Sequence, residues 1–204
     1  MAQALLDGYE VSGDSKFLER GEVLAEILIR DYEDEVSGGF YDVAKSMEAF
    51  GTVSRRDKNL EVNSDAVRVL NRLYHLTGKE EFREGAEKAL FVFADLAPQQ
   101  EIFGAGYALA LERFLHYPVK IVLVGSRKHR DAKKLHKEIL RLYEPRKVVK
   151  LLDPAVDELQ VGEITFPEMD TPAVYVCIES LCSAPIENAE GLQKRVREFV
   201  RENL

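Results

Sequence analysis

The chain has 204 residues, 46% of them apolar, and a formal net charge of −8. That is enough apolar material for one large or two small domains, and it excludes a disordered chain. The acidic balance argues against general nucleic-acid binding. Ten Lys/Arg face three Asp/Glu between residues 127 and 150, a local +7 that leaves the remainder at −15. The simplest reading of this basic stretch is a helix paired with acidic neighbours such as Asp153, Asp157 and Glu158. No apolar run reaches membrane-spanning length, and no basic segment followed by an apolar signal core opens the chain, so a soluble, cytoplasmic protein is expected.

A repeat organises the first half. Tyr9, Gly13, Phe17, Glu19 and Glu22 return 65 positions later as Tyr74, Gly78, Phe82, Glu84 and Glu87, with Leu5/Leu70 and Val11/Leu76 matching at the same offset. Each copy reads as an apolar helix, a Gly-centred turn and a second amphipathic helix, which predicts stacked helical hairpins. Residues 2–9 read as a helix lacking its partner, so the chain is expected to begin within a larger architecture. Beyond the Ser12-Gly13-Asp14 turn, Phe17, Gly21, Leu24 and Leu28 form one helical face.

A long loop is predicted from about Glu33 to Val62, carrying Gly38-Gly39-Phe40-Tyr41-Asp42, where two glycines permit a turn and the aromatics could start a short strand. In the second hairpin, Asn63 or Ser64 is the expected N-cap. Ala66, Val67, Leu70, Leu73 and Tyr74 mark its first helix, and Phe82, Ala86, Ala89, Leu90 and Phe93 its second. A third helix runs from Gly104 to about His116, with no second half to complete a hairpin.

After Pro118 the pattern changes to short apolar runs. Residues 119–125, 148–152 and 173–177 read as strands, separated by a charged helix at about 129–143 and followed by another at about 188–200. Strands alternating with helices predict a small α/β unit with a mostly parallel sheet. The expected division is 1–117 and 118–204. Residues 154–172 show little periodicity and read mostly as loop, with Ile164-Thr165-Phe166 a possible edge segment.

Several residues could carry chemistry. Asp42, Arg55, Arg56, Asp57, Lys58, Glu61 and Asn63 could gather at one mouth of a hairpin stack. There, Asp42 and Glu61 would act as acid and base, with Arg55, Arg56 and Asn63 bonding sugar hydroxyls. The alternative is a solvated loop. His75 and His116 sit near helix ends, where each either transfers protons, His75 being the catalytic choice, or bonds terminal carbonyls. Gly125-Ser126 with Lys128 or Arg130 could hold an anion, or form a plain strand-to-helix turn. Cys177 and Cys182 are expected as reduced thiols, with a disulfide the other option. No further cysteine or nearby His-x-x-x-His completes a metal site, and no cofactor is expected.

Leu5-Leu6-x-x-Tyr9-x-x-Ser12-Gly13-Asp14, Gly38-Gly39-Phe40-Tyr41-Asp42, Ile121-Val122-Leu123-Val124-Gly125 and Tyr175-Val176-Cys177-x4-Cys182-x2-Pro185 occur in this order. Together they resemble the C-terminal part of the spermatogenesis-associated protein 20 family of thioredoxin-domain-containing proteins. The resemblance covers nearly the whole chain and implies a longer protein. Such a protein would have an N-terminal thioredoxin-like domain and an α/α toroid like those of N-acylglucosamine 2-epimerases and six-hairpin glycosidases. This chain would correspond to the final third, without the thioredoxin-like domain and its Cys-x-x-Cys. Where relatives tend to carry Pro-Ser-Gly-Asn-Ser, this chain has Leu60-Glu61-Val62-Asn63-Ser64.

The fold expected is therefore α-helical hairpin repeats, a partial α/α toroid, followed by the small α/β unit. Two hairpins and a lone helix leave apolar faces uncovered, which predicts a homo-oligomer or a separately encoded N-terminal part as partner. Two functions follow. One is a structural or interaction module of the toroid; the other is an epimerase- or glycosidase-like enzyme with a carbohydrate ligand at the hairpin mouth.

Overall fold

Gly13 and Gly78, the glycines fixed by the repeat, both adopt left-handed backbone conformations, with φ of 71° and 76°. Each follows the first helix of its hairpin, where a residue without a Cβ closes a helix at least cost. The computed structural model describes residues 1–45 and 56–203. The first hairpin is α1 (Ala2–Ser12) and α2 (Ser15–Tyr32); the second is α3 (Leu60–Thr77) and α4 (Glu80–Phe93). The Gly13 amide donates to the Tyr9 carbonyl at 2.7 Å, which ends α1 where the repeat predicts a turn.

The chain divides into two compact units, one of residues 1–6, 15–75 and 79–116, the other of residues 7–14, 76–78 and 117–204. In the first, α3 buries Val67, Val69, Leu70, Asn71 and Leu73, too wide an arc for a surface helix. Phe82, Ala86, Ala89 and Leu90 of α4 are buried as well, and Gly85 of α4 lies against Leu70 of α3, where an added Cβ would meet its Cδ1 at 3.5 Å. Lys79 pairs with Glu22 and Glu26 at 2.7 and 2.9 Å, fixing the start of α4 to α2. A 3-10 segment, Ala97–Gly104, leads into α5 (Ala105–Leu115). The Tyr107 hydroxyl of α5 donates to the Leu90 carbonyl at 2.9 Å, and Asn71 donates to the Arg113 carbonyl at 3.0 Å.

The predicted N-cap moves. Helix α3 begins at Leu60, and the Asn59 side chain accepts from the Val62 amide at 3.1 Å. Asn59 is the cap, and Asn63 and Ser64 lie inside the helix.

The second unit is built on a four-stranded sheet in the order β2-β1-β5-β6. Its strands are β1 (Val119–Val124), β2 (Lys147–Leu152), β5 (Ala173–Ile178) and β6 (Leu181–Cys182). β3 (Gln160–Val161) and β4 (Ile164–Thr165) form a separate hairpin. The expectation of a mostly parallel sheet is corrected: β1 pairs in parallel with β2 but antiparallel with β5, and β5 is antiparallel with β6, so the sheet is mixed.

The physical reason lies in how both faces are covered. Val119, Ile121 and Leu123 pack with α6 (Arg130–Arg141) and α7 (Leu192–Asn203), while Val122 and Val124 pack with Val161 and Phe166 from the β3–β4 region. A strand buried on both faces reads as a continuous apolar run in either direction. Only the β1-to-β2 connection carries a crossover helix, α6.

Residues 7–14 and 76–78 add to this unit along β2. The Leu151 amide donates to the Tyr9 hydroxyl at 3.3 Å, Lys147 pairs with Glu10 at 3.1 Å, and Lys150 donates to the Leu76 carbonyl at 3.0 Å. Burial pushes the Tyr9 hydroxyl above its ordinary range, keeping it neutral beside the strand.

Glu179, in the β5–β6 turn, has a φ of 52° without being glycine. It is exposed, so its side chain gains little that offsets the left-handed conformation. Glu179→Gly is expected to raise unfolding stability by about 0.5–1 kcal/mol, the conformational relief exceeding the added chain entropy. A urea melt showing a lower midpoint would contradict it.

Candidate functional site

The charged loop between α2 and α3 is held by α3 through one side chain. Asn63 is 1% exposed. Its Oδ1 accepts from the Phe40 amide at 2.7 Å, and its Nδ2 donates to the carbonyls of Phe40 and Asn59, both at 2.9 Å. Both amide hydrogens are therefore used inside the protein, leaving none for a sugar hydroxyl. The clamp seats Phe40, itself buried, and an isolated bridge joins Phe40 to Glu33 in place of the predicted short strand.

Gly38 and Gly39 bring the backbone round with φ of 77° and 73°. A Cβ on Gly38 would lie 2.9 Å from the Lys88 carbonyl oxygen, so this turn admits no side chain. Asp34 closes the turn from the other side. Its carboxylate accepts from the Val36 amide, the Ser37 hydroxyl at 2.6 Å and the Tyr41 hydroxyl at 2.7 Å, and pairs with Lys58 at 2.8 Å. Lys58, Ser37 and Tyr41 hold this carboxyl far below the ordinary range. A group so held neither gives nor takes a proton near neutrality. Tyr41 in turn is raised, chiefly by its hydrogen bond to Asp34.

Arg56 stacks on the Tyr41 ring, its guanidinium carbon 4.0 Å from the ring centre, and its Nε donates to the Val43 carbonyl at 3.0 Å. Asp42 closes the loop's neck: its Oδ1 accepts from the Asp57 amide at 2.9 Å, and its own amide donates to the Asp57 carbonyl at 3.0 Å. Asp42, Arg56, Lys58 and Asn63 are thus brought together, each with bonds that shape the loop. Arg55 lies outside the described residues. Glu61 is exposed in the first turn of α3 and His75 stands in its last. Fourteen residues at about 1.5 Å each separate them by roughly 21 Å, so these two do not serve one reacting atom. Asp34 and the Tyr41 hydroxyl were not singled out from the sequence. Their signal was the Asp34-x-x-Ser37-Gly38-Gly39 pattern of a side-chain-capped turn.

The other candidates resolve locally. His116 Nδ1 lies 2.8 Å from the Glu112 carbonyl oxygen, the helix-end arrangement. At the turn after Gly125, the Arg127 amide donates to Asp153 at 2.9 Å, so a carboxylate of the chain stands where an anion would. Burial works against that charge, but the amides of Arg127 and Ala155 keep the Asp153 carboxyl below its usual value. Arg127 also pairs with Asp157, but it stands in the turn before α6, and Lys134 and Arg141 on the helix itself pair with Asp131 and Glu138 of the same helix.

The expectation of two reduced thiols is corrected. Cys177 and Cys182 are joined in a disulfide, because they stand directly opposite one another in the antiparallel β5–β6 pair. Among the described residues no group of His, Cys, Asp or Glu is placed to hold a metal ion, and no helix is long and apolar enough to cross a membrane.

No family model matches the chain. Among curated proteins it is similar to spermatogenesis-associated protein 20 of Homo sapiens, 25% identical over 203 residues, covering 95% of this chain and 26% of that protein. The protein of the same name from Rattus norvegicus is 24% identical over the same shares. A family-level link to these proteins is therefore supported across nearly all of the chain. The chain spans about a quarter of the length of these curated relatives, a smaller share than the third expected from the motifs.

Two outcomes test the loop. Asn63→Ala leaves the buried Phe40 amide and carbonyl without partners and should cost about 2–4 kcal/mol in a denaturant melt, with faster exchange of the Phe40 amide. An unchanged midpoint would show that the clamp does not hold the loop. For Asp34, the folded pKa lies below the unfolded value near about 4. Its contribution is present above that value and is lost as pH falls through the acid range toward the folded pKa. The decline in stability below about pH 4 should be shallower in Asp34→Asn than in the parent, and equal slopes would contradict the assignment.

Proposed function

We propose that this chain is a structural and interaction module, a set of helical hairpins of an α/α toroid wall, whose open edge is covered by a helical segment of a partner. The observation that carries this reading is the edge formed by the 3-10 segment and α5. Ile102 and Phe103 are 77% and 82% exposed, and Leu109 is 57% exposed. Beside them lies an open cavity of about 300 Å³ lined by Ala97, Pro98, Tyr107, Ala108 and Leu111 among others. Large apolar side chains beside an apolar hollow are the surface signature of a protein contact. The relatives' greater length supplies a natural source for the covering segment, encoded in the same protein or separately. By the family resemblance, that source would also carry the thioredoxin-like domain.

A sugar-handling enzyme draws less support. The amide hydrogens of Asn63 are used internally, Asp34 is locked ionised, and Glu61 and His75 stand at opposite ends of α3.

One experiment separates the two. The purified chain should bind an apolar-surface dye, and Ile102→Ser with Phe103→Ser should lower that fluorescence several-fold without moving the melting temperature. A panel of mono- and disaccharides, N-acyl amino sugars and sugar phosphates should leave the melt unmoved. A ligand at 100 times its dissociation constant would stabilise the fold by about 2.7 kcal/mol, so a shift lost in Glu61→Ala or His75→Ala would overturn the module reading in favour of the enzyme.

A further inference from the structure

Helices α6 and α7 cover one face of the sheet and leave a groove along their outer sides. Two adjoining hollows of about 490 and 450 Å³ share Gly191 and Gln193; the first is lined by α6 and the segment leading into α7, the second by α7 and Gly191. The first carries Lys134, Lys137 and Arg141 of α6, and the second Lys194, Arg197 and Arg201 of α7. Both triplets fall at i, i+3 and i+7, so each is a straight stripe about 10 Å long. All six cations are exposed.

Three of the six cations have carboxylate partners on their own helices: Lys134 pairs with Asp131 at 2.7 Å, Arg141 with Glu138 at 2.8 Å, and Lys194 approaches Glu198 at 3.7 Å, while Glu138 also accepts from Gln193 at 3.1 Å. Among the described residues, Lys137 and Arg201 have no ion pair, and Arg197 has only a long hydrogen bond to Gln193 at 3.4 Å. The overall charge of −8 disfavours an extended nucleic-acid backbone, which would run past the acidic remainder of the surface, more than a single short helix that meets only the stripes. The complement is a short acidic helix.

The chain itself presents one. On α4, Glu80, Glu84 and Glu87 are exposed and continue at the same spacing to Phe91, which is 82% exposed. The positions i, i+4, i+7 and i+11 lie on one helical face. Among the described residues none of these three glutamates has an ion pair. The acidic triplet has the same length as each basic one, and the aromatic at its end can rest on Ala189 and the lysine and arginine stems that floor the groove.

We propose that the α6/α7 groove receives helix α4 of a second copy of this chain. It deepens the interaction reading by naming a partner, and its surfaces do not include the Ile102/Phe103 edge. The two surfaces differ, so the contact is head-to-tail and each copy offers both, which extends the assembly as concentration rises. Opposed exposed stripes are screened by salt, so association belongs to low ionic strength.

The test is sedimentation velocity of the full chain in about 0.02 M and about 0.5 M salt. The expected result is a weight-average sedimentation coefficient that grows with concentration at low salt, with association weakened about tenfold or more at high salt. A groove variant (Lys137→Glu, Arg197→Glu, Arg201→Glu) and an α4 variant (Glu80→Lys, Glu84→Lys, Glu87→Lys) should each lose self-association while keeping the parent's circular dichroism and melting temperature. Because each keeps one native surface and reverses the other, an equimolar mixture should associate, the native α4 of the groove variant meeting the native groove of the α4 variant and the two reversed surfaces facing one another. If one triple variant fails to fold, Arg197→Glu and Glu84→Lys alone give the same comparison.

A chain that stays monomeric at low salt, association insensitive to salt, or a mixture that stays dissociated would overturn the proposal. So would a monomeric chain that binds a poly-glutamate peptide in the groove, which would assign it to a foreign acidic segment. Dye binding at the Ile102/Phe103 edge is read in the same samples. If it persists while self-association is absent, only the groove assignment fails.

Discussion

The amide of Asn63 is the interaction on which the hairpin mouth depends. It pairs with both the N–H and the C=O of Phe40, so it substitutes for a neighbouring strand at a point where the loop has none. With that backbone fixed, Phe40 fills the interior and Gly38 passes against the Lys88 carbonyl. Tyr41 is left in place for Asp34, Arg56 and Lys58 to gather round it. Charges that resemble a binding site in one dimension are here the fastening of a turn. Their cost in desolvation is met by mutual pairing, which also removes their freedom to exchange partners with a ligand.

The helical half was legible because its period is unambiguous and its glycines recur at positions that demand φ above zero. Tyr9-Gly13 and Tyr74-Gly78 placed both turns correctly. The start of α3 was less so: Asn63-Ser64 looks like a cap, but Asn59 takes that role and Asn63 acts at long range, on a residue 23 positions away. No local pattern signals such a bond. Strand positions were equally legible, but strand direction was not, since β1 is shielded on both faces and carries no alternation to read. The cysteine pair turned on the same point. Only the register of β5 with β6 places residues 177 and 182 face to face, and the sequence spacing alone leaves that open.

Among the proposed site residues, identity was readable and geometry was not. Asp42, Arg56 and Asn63 do meet, for reasons of loop closure. Glu61 and His75 share a helix and are divided by its length, a separation evident only once α3 is known to run unbroken from Leu60 to Thr77. What remains outside these internal bonds is carried on helix surfaces: the apolar edge of α5, the basic stripes of α6 and α7, and the acidic stripe of α4.

The sheet explains why recognition would fall to helices. An unpaired strand edge is the usual invitation to β-augmentation, in which a peptide adds itself as one more strand. Here one margin is β6, only two residues long. At the other, β2, the Tyr9 hydroxyl already takes the Leu151 amide, and Lys147 and Lys150 are drawn to Glu10 and the Leu76 carbonyl. The repeat's first tyrosine thus acts as a stopper on a distant strand, occupying a backbone amide that a templating strand would otherwise take.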